Sequence, residues 1–238
     1  SVAPQISWVQ RPLEFSNKPN EVVEVSTSDA QGLAKIIFKL DGEIISESLD
    51  KKINLLALKE GPHLLEVAAF DLVNNPSNVL SFPFYSDFTA PVLQLGAIAP
   101  FSRSVNLSIP FTVSDTLNVA ANSVSVFYDL NDKNDFKQIT SPLNLQNLAE
   151  GAPTVKFYAV DKAGNRSDIQ NRQSTIDLSG PQITFVNEPS SVKVGAAVAA
   201  QFLVEDSSSG LDTVSCELTV NAVARSYTPC LASGSLNL

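Results

Sequence analysis

The chain repeats itself at a period of a whole small domain, and that period constrains its fold more than any other feature. Three segment starts, Ala3-Pro4-Gln5-Ile6, Ala90-Pro91-Val92-Leu93 and Gly180-Pro181-Gln182-Ile183, lie 87 and 90 residues apart. An apolar strand pattern running into an aspartate also recurs. It reads Val23 to Asp29, Phe111 to Asp115 and Phe202 to Asp206. Leu58-Lys59-Glu60-Gly61 returns as Leu148-Ala149-Glu150-Gly151, and ten residues after each glycine stands an aspartate, Asp71 and Asp161. A polar turn follows each, Asn74-Asn75-Pro76-Ser77 and Ala163-Gly164-Asn165-Arg166-Ser167. Leu236-Asn237-Leu238 matches Ile53-Asn54-Leu55 and Leu143-Asn144-Leu145, so the third copy stops before its last two strand patterns.

Within each period the apolar residues alternate with polar ones in short runs, and turn residues separate the runs. Alternation of period two puts one face of a strand inward and the other in water. About seven such strands per repeat, with turn signals every 8–12 residues, is the profile of a two-sheet sandwich. The expected organisation is three domains, over residues 1–88, 89–178 and 179–238, the last lacking its closing hairpin. Asp87-Phe88-Thr89-Ala90-Pro91 and Asp177-Leu178-Ser179-Gly180-Pro181 are the linkers, each with a proline that restricts bending.

Composition excludes several functions. The net charge is −9 and the charges are scattered, which disfavours a phosphate backbone as partner. No run reaches the 18 or so apolar residues that would suggest a membrane-spanning helix. There is no methionine and the chain opens at Ser1, which is expected of a processed or excised piece of a longer protein.

The segment Gly151 to Asn165, the strand-Asp-loop-Gly-Leu element and the Asp-x-(Thr/Ser)-(Ala/Gly)-Pro linkers resemble those of tandem bacterial immunoglobulin-like domains. The resemblance covers the whole chain. It implies an all-β fold of tandem immunoglobulin-like β-sandwiches in an elongated arrangement. It also implies a secreted, periplasmic or cell-surface setting and a role as stalk, spacer or adhesive arm, with an unknown protein or glycan as partner. The alternative it allows is an accessory region of a secreted enzyme whose catalytic domain lies elsewhere. The second copy departs from the pattern: it lacks the Gly-Leu step after Asp115 and carries an extra polar stretch, Asn131 to Asp135.

No catalytic residue is expected. The one histidine, His63, has Pro153 as its counterpart in the second copy, so it is expected to be structural. No serine sits in a Gly-x-Ser-x-Gly elbow. Glu60 and Glu150 occupy the same repeat position and are expected at a turn or strand entry, not as a catalytic pair. The phenylalanines fall mostly in strand patterns and are expected in cores. With one tryptophan, Trp8, no exposed aromatic platform for a sugar is expected.

Two readings of the aspartates stay open. Asp29, Asp115 and Asp206 share one repeat position, Asp71 and Asp161 another, and Asp87 and Asp177 lie in the linkers. They either cap turns through nearby backbone N–H groups or gather at domain junctions as oxygen ligands for calcium, as the resemblance allows. Two loops are candidate binding tips: Asn131-Asp132-Lys133-Asn134-Asp135 and Ser207-Ser208-Ser209-Gly210. Cys216 and Cys230 resemble the paired cysteines of some family members, which implies a disulfide and an oxidising compartment. Closing that ring would contribute about 3 kcal/mol. Two free buried thiols are the alternative.

Overall fold

The computed structural model of the protein describes residues 2–116, 124–187, 199–220, 223–227 and 233–237. The described residues form strands, turns and loops, with no helix among them. The first repeat folds as eight strands: β1 (Gln5–Gln10), β2 (Phe15–Ser16), β3 (Glu21–Ser28), β4 (Leu33–Leu40), β5 (Glu43–Ser48), β6 (Lys52–Leu55), β7 (Gly61–Asp71) and β8 (Leu80–Ser86). One sheet has the order β1-β3-β6 and the other β2-β8-β7-β4-β5. The pairings are antiparallel except β2 with β8.

This strand order is that of an immunoglobulin-like sandwich. The first, second and fifth main strands form one sheet. The third, fourth, sixth and seventh form the other, with β5, the fourth, at one edge and the short β2 at the other. Period-two alternation supplies the core. Val23 and Val25 of β3 face Ile36 and Phe38 of β4 and Leu65, Val67 and Ala69 of β7, all of them buried.

The second repeat rebuilds the same order from β9 (Val92–Leu95), β10 (Phe101–Ser102), β11 (Leu107–Ile109), β12 (Phe111–Ser114), β13 (Ser125–Leu130), β14 (Lys137–Ile139), β15 (Leu143–Leu145), β16 (Thr154–Val160), β17 (Gln170–Gln173) and β18 (Thr175–Ile176). Here β12 pairs with β9, β11 with β15, and β14-β13-β16-β17 form the second sheet, while β10 runs parallel to β18. Its core is separate from the first and includes Leu93, Ile109, Phe111, Val155, Phe157 and Ala159. Pro110 divides β11 from β12, because proline has no N–H for the ladder. Its carbonyl instead accepts from Gly96 N at 2.8 Å.

The third repeat contributes β19 (Gln182–Asn187), β20 (Ala199–Glu205), β21 (Cys216–Val220), β22 (Val223–Tyr227) and β23 (Ser233–Asn237). The order β19-β20-β23 matches β1-β3-β6, and the β21-β22 hairpin matches β4-β5. The sequence pattern predicts a strand from Thr213, yet β21 begins at Cys216. The first repeat gives the reason. The opening residues of β4, Leu33 and Lys35, pair with β7, and β5 joins only from Ile36 onward. Among the described residues of the third repeat nothing stands in the place of β7.

The closing turns follow the sequence closely. Asn74 and Gly164 occupy one repeat position, and both have positive φ, 67° and 94°. Asparagine and glycine are the residues that tolerate this backbone. Gly96 is required for a different reason. A Cβ there would lie 2.6 Å from Pro110 Cγ and 3.1 Å from the Pro110 carbonyl. Gly96→Ala is therefore expected to destabilise the second sandwich by about 1–3 kcal/mol. Urea unfolding of the variant against the parent chain checks this.

Candidate functional site

The sequence-predicted aspartates fall into three structural positions, with the linker aspartate beside the start of β7, opposite the Asp71 end of its own sandwich and at the near end of the sandwich that follows. The first position follows the final strand, in the linker. Asp87 N donates to Ser16 O at 2.9 Å, and the Asp87 carboxylate accepts from Thr89 N at 3.1 Å. Asp177 repeats both bonds, with Ser102 O at 2.9 Å and Ser179 N at 3.0 Å. The second position follows the second main strand. Asp29 accepts from Gln31 N at 2.8 Å, and Asp206 from Ser208 N and Ser209 N at 3.0 and 3.1 Å. Turn capping is thus present at these positions.

The third position closes the last hairpin. Asp161 Oδ1 accepts from Gly164 N and Asn165 N at 2.7 and 2.8 Å, and its Oδ2 from Asn165 Nδ2 at 2.8 Å. Asp71 makes the same turn with Val73 N, Asn75 N and Asn75 Nδ2. Both carboxylates are buried.

Only around the second sandwich does this chain supply all three positions, and there they converge. One carboxylate oxygen each from Asp87, Asp115 and Asp161 lies within 4.8 Å of the others. Asp87 and Asp161 are buried and Asp115 is half-buried. Asp87 comes from the linker, Asp115 from the loop after β12 and Asp161 from the turn after β16. Further contacts join the same regions. Asn165 Nδ2 donates to Asp87 O at 2.8 Å, and Lys162 Nζ sits 4.9 Å from the centre of the Phe15 ring, which stacks on Tyr85.

The electrostatics follow from the crowding. Burial raises the Asp87 pKa from 3.8 to about 6, and the Asp115 and Asp161 charges push it the same way. Such a set suits a hard cation. Oxygens that share one calcium ion, at roughly 2.4 Å each, can be no more than about 4.8 Å apart. Carboxylate oxygens without thiolate or imidazole also favour calcium or magnesium over softer metals.

Glu60 and Glu150 prove to be more than strand-entry residues. Glu60 Oε1 accepts from Phe88 N at 3.2 Å and from the Thr89 hydroxyl, and these bonds lower its pKa, the Thr89 hydroxyl most. Glu150 Oε1 accepts from the hydroxyls of Ser179 at 2.9 Å and Ser208 at 3.2 Å. Each glutamate therefore latches its linker, and Glu150 also reaches the next repeat. The signal in the sequence is the hydroxyl at the shared position Thr89/Ser179, read there only as linker composition.

The remaining candidates have distinct settings. His63 bridges Asp41 Oδ2 and Lys59 O at 2.7 and 2.8 Å, a local structural role. The stretch Asn131 to Asp135 is an exposed, ordered turn between β13 and β14. Asn131, Asp132 and Asn134 have positive φ, and the buried Asp129 carboxylate accepts from Asn134 N and Asp135 N. Asp132 pairs with Lys156 at 2.7 Å, and Asp135 with Lys137 at 3.3 Å. The loop Ser207-Ser208-Ser209-Gly210 lies at the junction, within reach of Glu150, rather than at a distal tip. Not every phenylalanine is in a core. Phe127 and Phe136 are half-buried against Tyr158, and the Arg166 guanidinium lies 3.7 Å from the Tyr158 ring centre. Cys216 begins β21, and Cys230 lies outside the described residues.

No family model matches the chain, and no curated protein sequence matches it. Among solved structures it is similar to the fibronectin(III)-like modules of Clostridium thermocellum CbhA, at 13% identity and a TM-score of 0.46, covering 72% of this chain and 93% of that one. It is similar to the D00–D0 domain of intimin at 11% identity and a TM-score of 0.36, covering 73% and 99%. Likeness to the FN1–FN3 domains of chicken CNTN1 is at 13% identity and a TM-score of 0.36, covering 73% and 67%. The strand order of the first two sandwiches, and not these low-identity likenesses, carries the fold assignment.

The raised Asp87 pKa has a definite consequence for stability. Without divalent cations, the folded chain holds a proton on Asp87 that the unfolded chain gives up above about pH 4. The Asp87 contribution to stability is therefore expected to fall as pH rises from about 4 to about 6, opposite in sign to the contribution of Glu60, whose folded pKa is lowered. Asp87→Asn should flatten this part of the profile, with Glu60, Asp115 and Asp161 left in place. Thermal unfolding in chelator across that range checks it.

Proposed function

We propose that this chain is a non-catalytic structural region of a secreted or surface-exposed protein, a stalk or spacer of tandem sandwiches stiffened at the junction by calcium. The observation that carries the proposal is the convergence of Asp87, Asp115 and Asp161. A linker carboxylate and two loop carboxylates of the following sandwich would share one ion. The ion would tie the linker to the second sandwich and relieve the repulsion among the three. Waters and backbone carbonyls would complete its six to eight oxygens. The Glu60 and Glu150 latches act in the same sense, because each shortens the free length of a linker.

A rod of this kind holds whatever it carries away from a surface, and its usefulness depends on resistance to bending. A bivalent ion at the joint supplies that resistance without a large apolar interface. It is suited to an exterior setting, where calcium is abundant and sites of about 0.1–1 mM affinity are filled. The paired cysteines of the third repeat fit the same oxidising exterior.

Calcium titration followed by calorimetry is expected to show one saturable site, with Asp115→Ala and Asp87→Ala each abolishing it. Small-angle scattering should show a narrower range of shapes with calcium than with chelator. Absence of both the binding heat and the scattering change in the parent chain would refute the stiffened joint. Independently, alkylation of the denatured, unreduced chain is expected to leave its mass unchanged. Two added alkyl groups without reduction would mean free thiols at Cys216 and Cys230 and would remove the argument for an oxidising compartment.

A further inference from the structure

The first two sandwiches differ at one edge, where the fourth main strand passes to the fifth. In the first, β5 runs for six residues, and the chain then returns to β3 through its backbone: Val25 N donates to Lys51 O at 2.9 Å. In the second, β14 has three residues, and Ser141 stands at the repeat position of Lys51, as Phe111 does at that of Val25. Here a side chain replaces the backbone. Ser141 Oγ accepts from Phe111 N at 3.0 Å and donates to Phe111 O at 2.7 Å. Pro142 follows and has no N–H to offer a ladder. The connection therefore stands off from β12 by the reach of a serine side chain, and the space between β14 and β15 stays open.

The opening is a groove of about 600 Å³ whose lining includes Tyr128, Gln138, Thr140, Pro142, Leu143 and Asn144. Tyr128 occupies the repeat position of Phe38, as its pairing with Phe157 and that of Phe38 with Val67 show. Phe38 is 0% exposed, whereas Tyr128 is half-buried and reaches the groove with a hydroxyl that Phe38 lacks. Thr140 and Asn144 are exposed at its rim. Gln138 Nε2 donates to Ser125 Oγ at 3.1 Å, which holds the amide in place and leaves its oxygen as an acceptor. Among the described residues no charged side chain lines the groove, on a chain of net charge −9.

We propose that this groove binds a short neutral saccharide. Its volume lies within the roughly 300–1,000 Å³ of small-molecule sites. Hydroxyls and amides both donate and accept, as the hydroxyls of a sugar do. The rings of Tyr128 and Pro142 and the Leu143 side chain offer apolar surface to the C–H face of a pyranose. A charged ligand would lose water here and find no counter-charge, and an apolar one would leave the amides unpaired. None of the lining residues belongs to the aspartate cluster, so the proposal stands or falls apart from the calcium joint.

The test titrates the isotope-labelled 238-residue chain with cellotriose, maltotriose, mannotriose, triacetylchitotriose and the acidic trigalacturonate, followed by NMR. Saturable shift changes at Tyr128 and residues 137–145 are expected with at least one neutral trisaccharide. Tyr128→Phe should weaken that binding roughly three- to tenfold, the loss of one hydrogen bond. Its fold is expected to persist, because phenylalanine fills the same position in the first sandwich. Asn144→Ala, at an exposed side chain, should weaken binding to a similar degree without touching the core. The proposal is overturned when no neutral trisaccharide shifts these signals at millimolar concentration, or when the shifts map outside the groove. Binding that is unchanged in the Y128F/N144A double variant also overturns it, as does trigalacturonate binding as tightly as the best neutral probe.

Discussion

A single buried carboxylate, Asp161, organises the junction between the first two sandwiches. Asp161 takes up three N–H groups of the turn that follows it, and so decides where β16 stops and the chain reverses. The side chain it orders, Asn165, in turn donates to the carbonyl of Asp87 in the linker. Were the turn to open, β17 would lose its register against β16, and the linker would lose a neighbour. Asp71 performs the first half of this work in the first sandwich.

The sandwich beneath this corner is held by burial, and its polar exceptions are systematic. Ser77 and Ser167 occupy one repeat position, and each hydroxyl accepts from an inward alanine N–H while donating to the next carbonyl. A buried polar group retained with both of its bonds made costs little. The serine lets the chain leave the ladder after the turn without leaving donors unmet. Asp41 and Asn131 are a second matched pair. Both have positive φ, and both side chains accept from the backbone N–H at one repeat position early in the sixth main strand, Leu64 and Thr154. Such pairs show why the two sandwiches share a strand order at low sequence identity: their shared residues are those that close turns.

Much of this was legible before any coordinates. Period-two alternation with turn residues between runs identified the main strands, and the repeated Asp, Glu-Gly and Asn or Gly positions marked the turns. Against about seven expected per repeat the structure has eight and ten, because the two-residue strands β2, β10 and β18 are too short to alternate and Pro110 splits β11 from β12. The glutamate latches were not legible. Glu60 and Thr89 are 29 residues apart, and nothing local says that a strand-entry glutamate will face a linker hydroxyl. The outward Phe127 and Phe136 escaped for a similar reason: a phenylalanine in a strand pattern reads as core until the inward face is known.

The sequence by itself determined the all-β class, the period and the chemistry available at each turn, because these depend on residues within a few positions of one another. The repeat also assigned aspartates to three recurring positions. Only the tertiary structure decided that Asp87, Asp115 and Asp161 meet, since they are brought together by a linker, a loop and a turn up to 74 residues apart. It also decided that Glu60 and Glu150 each reach a linker hydroxyl 29 residues away. Residues so far apart in the chain meet only once the strands between them have paired.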